Sequence, residues 1–528
     1  VAVPPPPPAS TAEALAREAM AVGPRIETLK VLKLLCAADV VPAVVAVIDR
    51  AEREGAGSLR MSSRSGTHLG APPVWERSIS ASLRLLRAVS RTTDGADAIL
   101  SAPYVLALFG LLRLPLGSPL LSIAVETVWN LAEAAPGGTA ALLCTPDSTR
   151  ALVDLHLRTL NPGASDADKE LRNEVVVLST LLAKAARPEG RACLVSGGLY
   201  EAVVGVVCDD SATLSIHATD LNLELLLLAL QFLLVMCKPD EALREDILEV
   251  SASHGLVAQL VECLAGRVGR SRSALCSAQW TNSQLSQLQK RCLPLLTDLF
   301  IAAPGTAAAF PEIAEIVTDF LVPDAPADLR DASIQLLLTA LPGSPELKEA
   351  AGSAGAIGAL IENVAAISYS GGPTSLAPFS TSLMSTTAAL RLPSGLTASS
   401  MQAAVLAVSM LTDEHPTNQE LFGEAGGVAC LLPLVRPKTD AALLHAVIEC
   451  IWSATVPSEA NASKLLQRDG VLKLLEVLEG ADFAPRAHLL SCLADLVLAH
   501  PAARAQCMEW HGSKRQSATQ LCLALWSE

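Results

Sequence analysis

Large aromatic side chains are scarce in this sequence. Phenylalanine, tryptophan and tyrosine make up 3% of its 528 residues, whereas 51% of the residues are hydrophobic. A core built mainly from alanine, leucine and valine favours closely packed helices over sheets, which prefer β-branched and aromatic residues. The length is roughly three times the commonest domain size, so we expect several domains or a repeat array.

The cysteines are not spaced for a zinc ribbon or a redox motif. There are 13, and the closest two, Cys263 and Cys276, stand 13 positions apart, so the sequence contains no C-x-x-C pair. Single cysteines scattered through apolar stretches are typical of proteins in a reducing compartment. We therefore expect an intracellular protein.

The sequence also lacks a secretory signal and an obvious membrane span. Residues 1–10 are rich in proline and have no basic n-region, which predicts a polyproline II linker. The most apolar stretch, residues 223–237, is shorter than the roughly 18 to 20 residues that span a bilayer, so a buried helix is expected. Because the chain does not open with methionine and ends within an apolar periodic segment, we expect it to be part of a longer protein.

Charge separates the chain from nucleic-acid-binding proteins. Acidic residues outnumber basic ones and leave a formal net charge of −15, which excludes phosphate neutralisation as the main task. One stretch, from Gly266 to Cys292, departs from this balance because it holds five basic residues and no acidic one. These are Arg267, Arg270, Arg272, Lys290 and Arg291. The cluster is either a docking loop for an acidic segment of a neighbouring protein or a solvated insertion.

Common catalytic motifs are missing. The sequence contains no H-E-x-x-H, no G-x-S-x-G and no P-loop motif, so we expect no enzyme activity and no cofactor. His488, Cys492 and Asp495 follow helical spacing and share one face, which makes a structural metal conceivable. A packed histidine and cysteine explain the pattern better, and we expect no metal.

One unit recurs along the chain: an apolar helix, a turn with proline, a short helix, a glycine and another apolar helix. The turn prolines are Pro136, Pro188, Pro239, Pro304, Pro342, Pro416, Pro457 and Pro501. The shorter gaps between them fall near the roughly 40 to 47 residues of an armadillo or HEAT repeat. A glycine follows the turn in several units, at Gly198, Gly255, Gly427 and Gly470. We expect these glycines to adopt positive φ and to join two helices at a sharp angle.

This pattern resembles the armadillo family over most of the chain. The resemblance implies an all-α, right-handed superhelical solenoid over residues 11–528, with about nine to eleven repeats and binding surfaces along its groove. Longer gaps require loop insertions near residues 57–73, 266–283 and 368–400. The last of these is rich in serine, threonine, glycine and proline.

The turn proline sets a register for the groove-lining helix. Asn130, Asp298 and Asp495 each stand six residues before such a proline. In the armadillo family, which the chain resembles, a polar residue near this point often faces the groove and binds a partner's backbone. Contact with a partner and purely local hydrogen bonding are both open for these three residues.

Several stretches resemble, more specifically, a family of armadillo proteins of the ciliary axoneme. The resemblance is carried by VETVWNLAE at residues 125–133, KELRNEVVVLSTLLA at 169–183 and EWHGSKRQSATQLCLALW at 509–526. It implies a non-catalytic structural component of the central apparatus, in a projection of the C1 microtubule, that holds other central-apparatus proteins and supports motility.

Charge limits the partners that this resemblance allows. Tubulin is acidic, so a chain of charge −15 is expected to contact the microtubule only indirectly. Neither nucleic acid nor a membrane is expected as a partner. The alternatives are a soluble armadillo adaptor in transport or signalling and a regulatory subunit of an enzyme.

Overall fold

The computed structural model of the chain is built from helices. It describes residues 41–50, 74–160, 165–208, 220–238, 242–266, 281–370, 398–480, 483–513 and 515–527. Within these ranges the only strand-like pairing is one isolated antiparallel bridge, between His511 and Ser517. The prediction of an all-α fold is confirmed.

The chain divides into two compact units, and in chain order the main division falls between Leu256 and Val257. The helices of the first unit are α1 (41–50), α2 (Val74–Val89), α3 (Thr93–Leu100), α4 (Leu106–Gly110), α5 (Pro119–Ala134), α6 (Pro136–Leu143), α7 (Pro146–Thr159), α8 (Asp166–Ala185), α9 (Pro188–Ser196), α10 (Leu199–Cys208), α11 (Asp220–Met236) and α12 (Arg244–Ser253). A 3-10 turn, Leu111–Arg113, extends α4.

The second unit follows the same plan. Its helices are α13 (Leu256–Leu264), which begins at the division, then α14 (Asn282–Ala302), α15 (Ile313–Thr318), α16 (Ala327–Ala340), α17 (Pro345–Ser353), α18 (Ala356–Ser370), α19 (Ala398–Thr412), α20 (Pro416–Glu424), α21 (Gly427–Leu431), α22 (Ala441–Thr455), α23 (Glu459–Leu466), α24 (Gly470–Gly480), α25 (Phe483–Ala499), α26 (Pro501–Glu509) and α27 (Ala518–Ser527). Two 3-10 turns, Thr306–Ala309 and Leu432–Leu434, precede α15 and follow α21.

Three helices make up one repeat: a short first helix, a second helix and a long third helix, as in α6, α7 and α8. Pro136, Pro188, Pro416 and Pro501 are each the first residue of a first helix. Proline is favoured there because its missing N–H would have no helical partner. The predicted order of proline turn and short helix is confirmed at these positions. Within each unit the third helices of successive repeats pack together, as α5 does on α8 and α22 on α25.

In several repeats the junction between the first and second helix contains a left-handed residue. Gly198 and Gly255 fill this position with φ of 83° and 66°, so the prediction is confirmed there. Both glycines have open space where a side chain would start. The positive φ, and not crowding, therefore explains why glycine stands at these two junctions.

The same prediction is wrong by one residue at Gly427 and Gly470. The left-handed residues are the preceding ones, Gly426 at φ 74° and Asp469 at φ 56°. Gly427 and Gly470 instead start the second helices, where there is no room for a side chain. A Cβ on Gly427 would lie 2.2 Å from the ring of Phe422, and Gly470 is similarly crowded.

Asparagine side chains fix the register between neighbouring first helices in the second unit. Asn461 donates from Nδ2 to the backbone oxygens of Gln419 at 2.6 Å and Ala454 at 3.0 Å. Its amide sits where Gly423 leaves space, because a Cβ there would lie 2.0 Å from Asn461 Oδ1. Asn418 makes the equivalent bonds one repeat earlier. These two amides each tie a repeat to the one before it.

Several predicted segments lie outside the described residues. They are the proline-rich linker at residues 1–10, the insertion at 57–73 and most of the insertions at 266–283 and 368–400. The boundary between linker and repeat array stays a prediction.

Candidate partner-binding surface

Asn130 and Asp495 lie on third helices, as the proline register predicts, and both bridge to a neighbouring third helix. Asn130 on α5 donates from Nδ2 to the backbone oxygen of Arg87 on α2, at 3.3 Å. Asp495 on α25 accepts a hydrogen bond of 3.0 Å from Trp452 Nε1 on α22. Asp298 is half-buried on the third helix α14. The three residues stand in separate repeats, and their contact with a partner stays a prediction.

Only part of the basic cluster lies within the described residues. Arg267, Arg270 and Arg272 lie outside the described residues. Lys290, from the same cluster, lies on α14 with its Nζ 2.7 Å from Asp328 Oδ2. Part of the local positive charge is therefore neutralised within the second unit.

A cluster of charged and aromatic residues lies on the third helix α5 and beside α2 in the first unit. Glu126 on α5 accepts hydrogen bonds from Arg87 at 2.8 Å and from Arg91 at 3.1 Å. One turn further along α5, the half-buried Trp129 donates from Nε1 to Glu133 at 2.8 Å. This bond fixes the orientation of the indole ring.

Three glutamates lie near one another between α5 and α8. Burial, and then the nearby charges of Glu126 and Glu170, raises the pKa of Glu174 on α8. Like-charged carboxylates crowded together create a negative potential.

The second unit carries a similar cluster between α22 and α25. The rings of His445 and His488 are tilted by 45° to each other with centroids 4.1 Å apart, and the ring of His488 meets that of Trp452 nearly at a right angle, with centroids 5.6 Å apart. His488 also shares a hydrogen bond with Glu449, and Trp452 donates to Asp495. The indole is thus held on two sides, by Asp495 at its N–H and by the edge contact with His488.

Two residues in one of the stretches that resemble the ciliary family have a structural role in helix packing. In the KELRNEVVV stretch, the buried Arg172 donates to Leu221 O and Asn222 Oδ1, both at 3.2 Å. Asn173 donates to Leu221 O at 3.0 Å and to Glu224 Oε2 at 2.8 Å. These bonds hold the start of α11 against α8, so the two residues are structural.

A buried histidine lies near this network. His156 on α7 is fully buried, and neither ring nitrogen has a partner at hydrogen-bonding geometry. Burial, and then the charge of Arg172, lowers the pKa of His156 to about 4, which the nearby Ala202 backbone opposes only in part. The side chain is therefore neutral at physiological pH.

The structure assigns other roles to the residues considered for metal binding. His488 is bonded to Glu449, and Asp495 to Trp452. Cys492 is fully buried, and burial together with Asp495 and Glu449 raises the pKa of its thiol. Within the described ranges, histidine, cysteine and carboxylate side chains do not gather in threes suited to a metal ion.

In the described part of the chain, no single helix has both the length and the apolar composition needed to cross a membrane. Two bent helix pairs, α9 with α10 and α12 with α13, meet those criteria only when each pair is taken together.

The residue-by-residue search of the sequence missed the tryptophan clusters. It followed the turn proline, whereas Trp129 and Trp452 share a different signal, the strings VETVWN and IECIWS. In both strings a glutamate stands three residues before the tryptophan, a β-branched residue precedes it and a small polar residue follows. Aligning third helices on these strings would have found the clusters.

Comparison with solved structures defines the class of fold as armadillo-repeat. One similar structure, an engineered protein, has a TM-score of 0.56 and 14% identity, covering 92% of this chain and 99% of its own. Another comes from work on a phosphorylation switch that controls the interaction between cadherin and beta-catenin. It has a TM-score of 0.58 and 14% identity, covering 94% of this chain and 86% of its own. The predicted armadillo-like fold class is confirmed.

The sequence comparison is more specific. Residues 384–528 match the family described as cilia- and flagella-associated protein 69, ARM repeat. The resemblance to a ciliary armadillo protein is thereby confirmed for this C-terminal part of the chain. No curated protein matches the chain.

Proposed function

We propose that the chain is a non-catalytic structural scaffold of the ciliary or flagellar axoneme. It holds other proteins in a projection of the central apparatus, on the C1 microtubule, and so supports ciliary motility. The observation that carries this proposal is the match of residues 384–528 to a cilia- and flagella-associated armadillo family.

The third-helix faces supply surfaces for such a role. Charged and aromatic side chains, among them Glu126, Trp129, Glu449 and Trp452, lie half-buried there and are held by neighbouring side chains. Preorganised, partly exposed groups of this kind favour binding to another protein, because little side-chain entropy is lost on contact. Armadillo arrays offer extended surfaces rather than reaction chambers.

Extraction of axonemes tests the proposal against the alternative of a soluble adaptor. A tagged chain would be expressed in motile ciliated cells, and axonemes would be isolated with detergent and washed at low and high salt. A scaffold stays with the central apparatus after detergent and a low-salt wash. Release of the chain by detergent alone would favour the soluble adaptor in transport or signalling.

The basic cluster provides a second test. Reversing Arg267, Arg270 and Arg272 to glutamate should weaken incorporation into axonemes and make the remaining binding less sensitive to salt, since exposed ion pairs are screened over a Debye length of about 8 Å. A matched control changes the same amount of charge at the exposed Arg113, Arg436 and Lys438. These three control side chains lie outside the basic cluster, and we do not expect them to contact a partner. Equal incorporation of both variants would show that the cluster is a solvated insertion.

A further inference from the structure

Two buried cysteines of the second unit meet where α13 and α14 come together. Cys263 lies on α13 and Cys292 on α14, with 3% and 0% of their surfaces exposed. Their thiols form a hydrogen bond with each other. Gln289, one turn before Cys292, donates from Nε2 to Leu264 O at 2.9 Å and so holds the two helices together beside the pair.

The two sulfurs have different roles in this contact. Gln259 donates from Nε2 to Cys263 Sγ at 3.9 Å, a hydrogen-bonding distance for sulfur. The hydrogen bond with Cys292 lowers the pKa of the Cys263 thiol and Gln259 adds to this effect, although burial opposes both. The bond to Cys263, and then burial, raises the pKa of Cys292. Negative charge on the pair is therefore stabilised on Cys263, with Cys292 as a donor.

Cys492 on α25 shows what burial does to a thiol without such donors. It is fully buried in the same unit, and burial, followed by the nearby Asp495 and Glu449, raises its pKa. The thiolate is the form of cysteine that reacts with oxidants, so a buried thiol of this kind is inert. Cys263 is equally enclosed but carries two hydrogen-bond donors on its sulfur, and this distinguishes it as the reactive member of the pair.

We propose that Cys263 and Cys292 form a reversible disulfide when hydrogen peroxide oxidises the chain. The Cys263 thiolate attacks one oxygen of the peroxide, the O–O bond breaks, and the sulfur becomes a sulfenic acid as water leaves. The Cys292 sulfur then attacks that sulfur, the S–O bond breaks, and the departing hydroxide takes the Cys292 proton to form a second water. Two electrons pass from the sulfurs to the peroxide, so the step balances.

The position of the pair allows both access and reversal. Cys263 stands one residue before the end of α13, and helix ends open locally at low free-energy cost. Such an opening admits a molecule as small as hydrogen peroxide. A small thiol such as glutathione reverses the bond by thiol–disulfide exchange. The disulfide would join α13 to α14 covalently, a redox-sensitive device that is independent of the proposed scaffold role.

Mass spectrometry of the purified, fully reduced full chain tests for this bond. The folded chain is treated with hydrogen peroxide, then denatured, blocked with N-ethylmaleimide and digested with trypsin without reduction. The two cysteines fall in separate tryptic peptides, Glu245–Arg267 and Cys292–Arg330, each with a single cysteine. We expect these peptides to be found linked, and to separate after treatment with dithiothreitol. Cys492 should be oxidised at least about tenfold more slowly than Cys263.

Single variants separate the roles of the two sulfurs. In Cys292→Ser the sulfenic acid on Cys263 has no thiol to resolve it, so dimedone should label Cys263. In Cys263→Ser, dimedone should leave Cys292 unlabelled. Gln259→Leu removes one donor and should slow the oxidation of Cys263 severalfold. Gln467→Leu, at an exposed position of the same unit, is the matched control and should leave the rate unchanged.

The peroxide concentration is raised until the half-buried Cys193 and Cys507 are oxidised. Absence of the linked peptides at that point, or equal oxidation rates of Cys263 and Cys492, would overturn the inference. So would labelling of Cys292 by dimedone in folded Cys263→Ser. The measurement on the wild-type chain depends on no variant, so a variant that fails to fold does not affect it.

Discussion

Acidification should destabilise the first unit through His156. This side chain is fully buried on α7, and its ring nitrogens lack partners at hydrogen-bonding geometry. Burial, followed by the charge of Arg172, lowers its pKa from 6.5 to about 4. The folded unit therefore holds a neutral imidazole over a pH range in which the unfolded chain binds a proton.

The sign and size of the effect follow from this difference. A depressed histidine pKa favours the unfolded state as pH falls, so the stability present above about pH 6.5 is lost progressively down to about pH 4. The shift corresponds to about 3 kcal/mol in full, and about 2 kcal/mol of this should be lost by pH 5. Below pH 4 this residue contributes no further loss.

Two measurements check the prediction. Histidine side-chain NMR spectra, recorded from pH 8 to 5, should show one set of signals that does not titrate and that is missing from His156→Leu. Hydrogen exchange of α7 and α8, corrected for intrinsic rates, reports local stability, because a repeat array of this length does not unfold in one step. The variant should lose the acid sensitivity of these helices, whereas His445→Leu, at an exposed position, should keep it.

The reasoning would be refuted if His156 titrated near its ordinary pKa. It would also be refuted if α7 and α8 lost the same stability between pH 7.5 and 5 in wild type and His156→Leu. The first result would mean that the side chain reaches water, and the second that other groups cause the acid response.

Three further changes test the packing of the second unit by thermal unfolding and hydrogen exchange. Gly427→Val should cost about 2 kcal/mol, because a Cβ would lie 2.2 Å from the ring of Phe422, and an unchanged stability would show that this helix start is not crowded. Gly358→Ala, in open space within α18, should instead stabilise that helix by about 1 kcal/mol, and a loss would contradict the assignment of free space. Asn461→Leu should cost about 2 kcal/mol, since two backbone oxygens lose their hydrogen-bond donor. Amide hydrogen exchange in α23 at the wild-type rate would show that these two hydrogen bonds are not needed for stability.

The fold was predictable because the residues that start and end its helices are recognisable from short stretches of sequence. Proline at the first position of a helix, as at Pro136 or Pro416, is readable from one short window of sequence. The glycine junctions were less certain for a physical reason. Two adjacent glycines, Gly426 and Gly427, both permit a left-handed turn, and only the contact with Phe422 determines which one begins the helix.

The candidate surface was predictable only in part. The proline register placed Asn130 and Asp495 correctly on third helices, because helical periodicity fixes their face. Their bonding partners, Arg87 O and Trp452, lie about 43 positions away in the chain. Such contacts depend on how one repeat packs on the next, and no window shorter than a repeat contains that information.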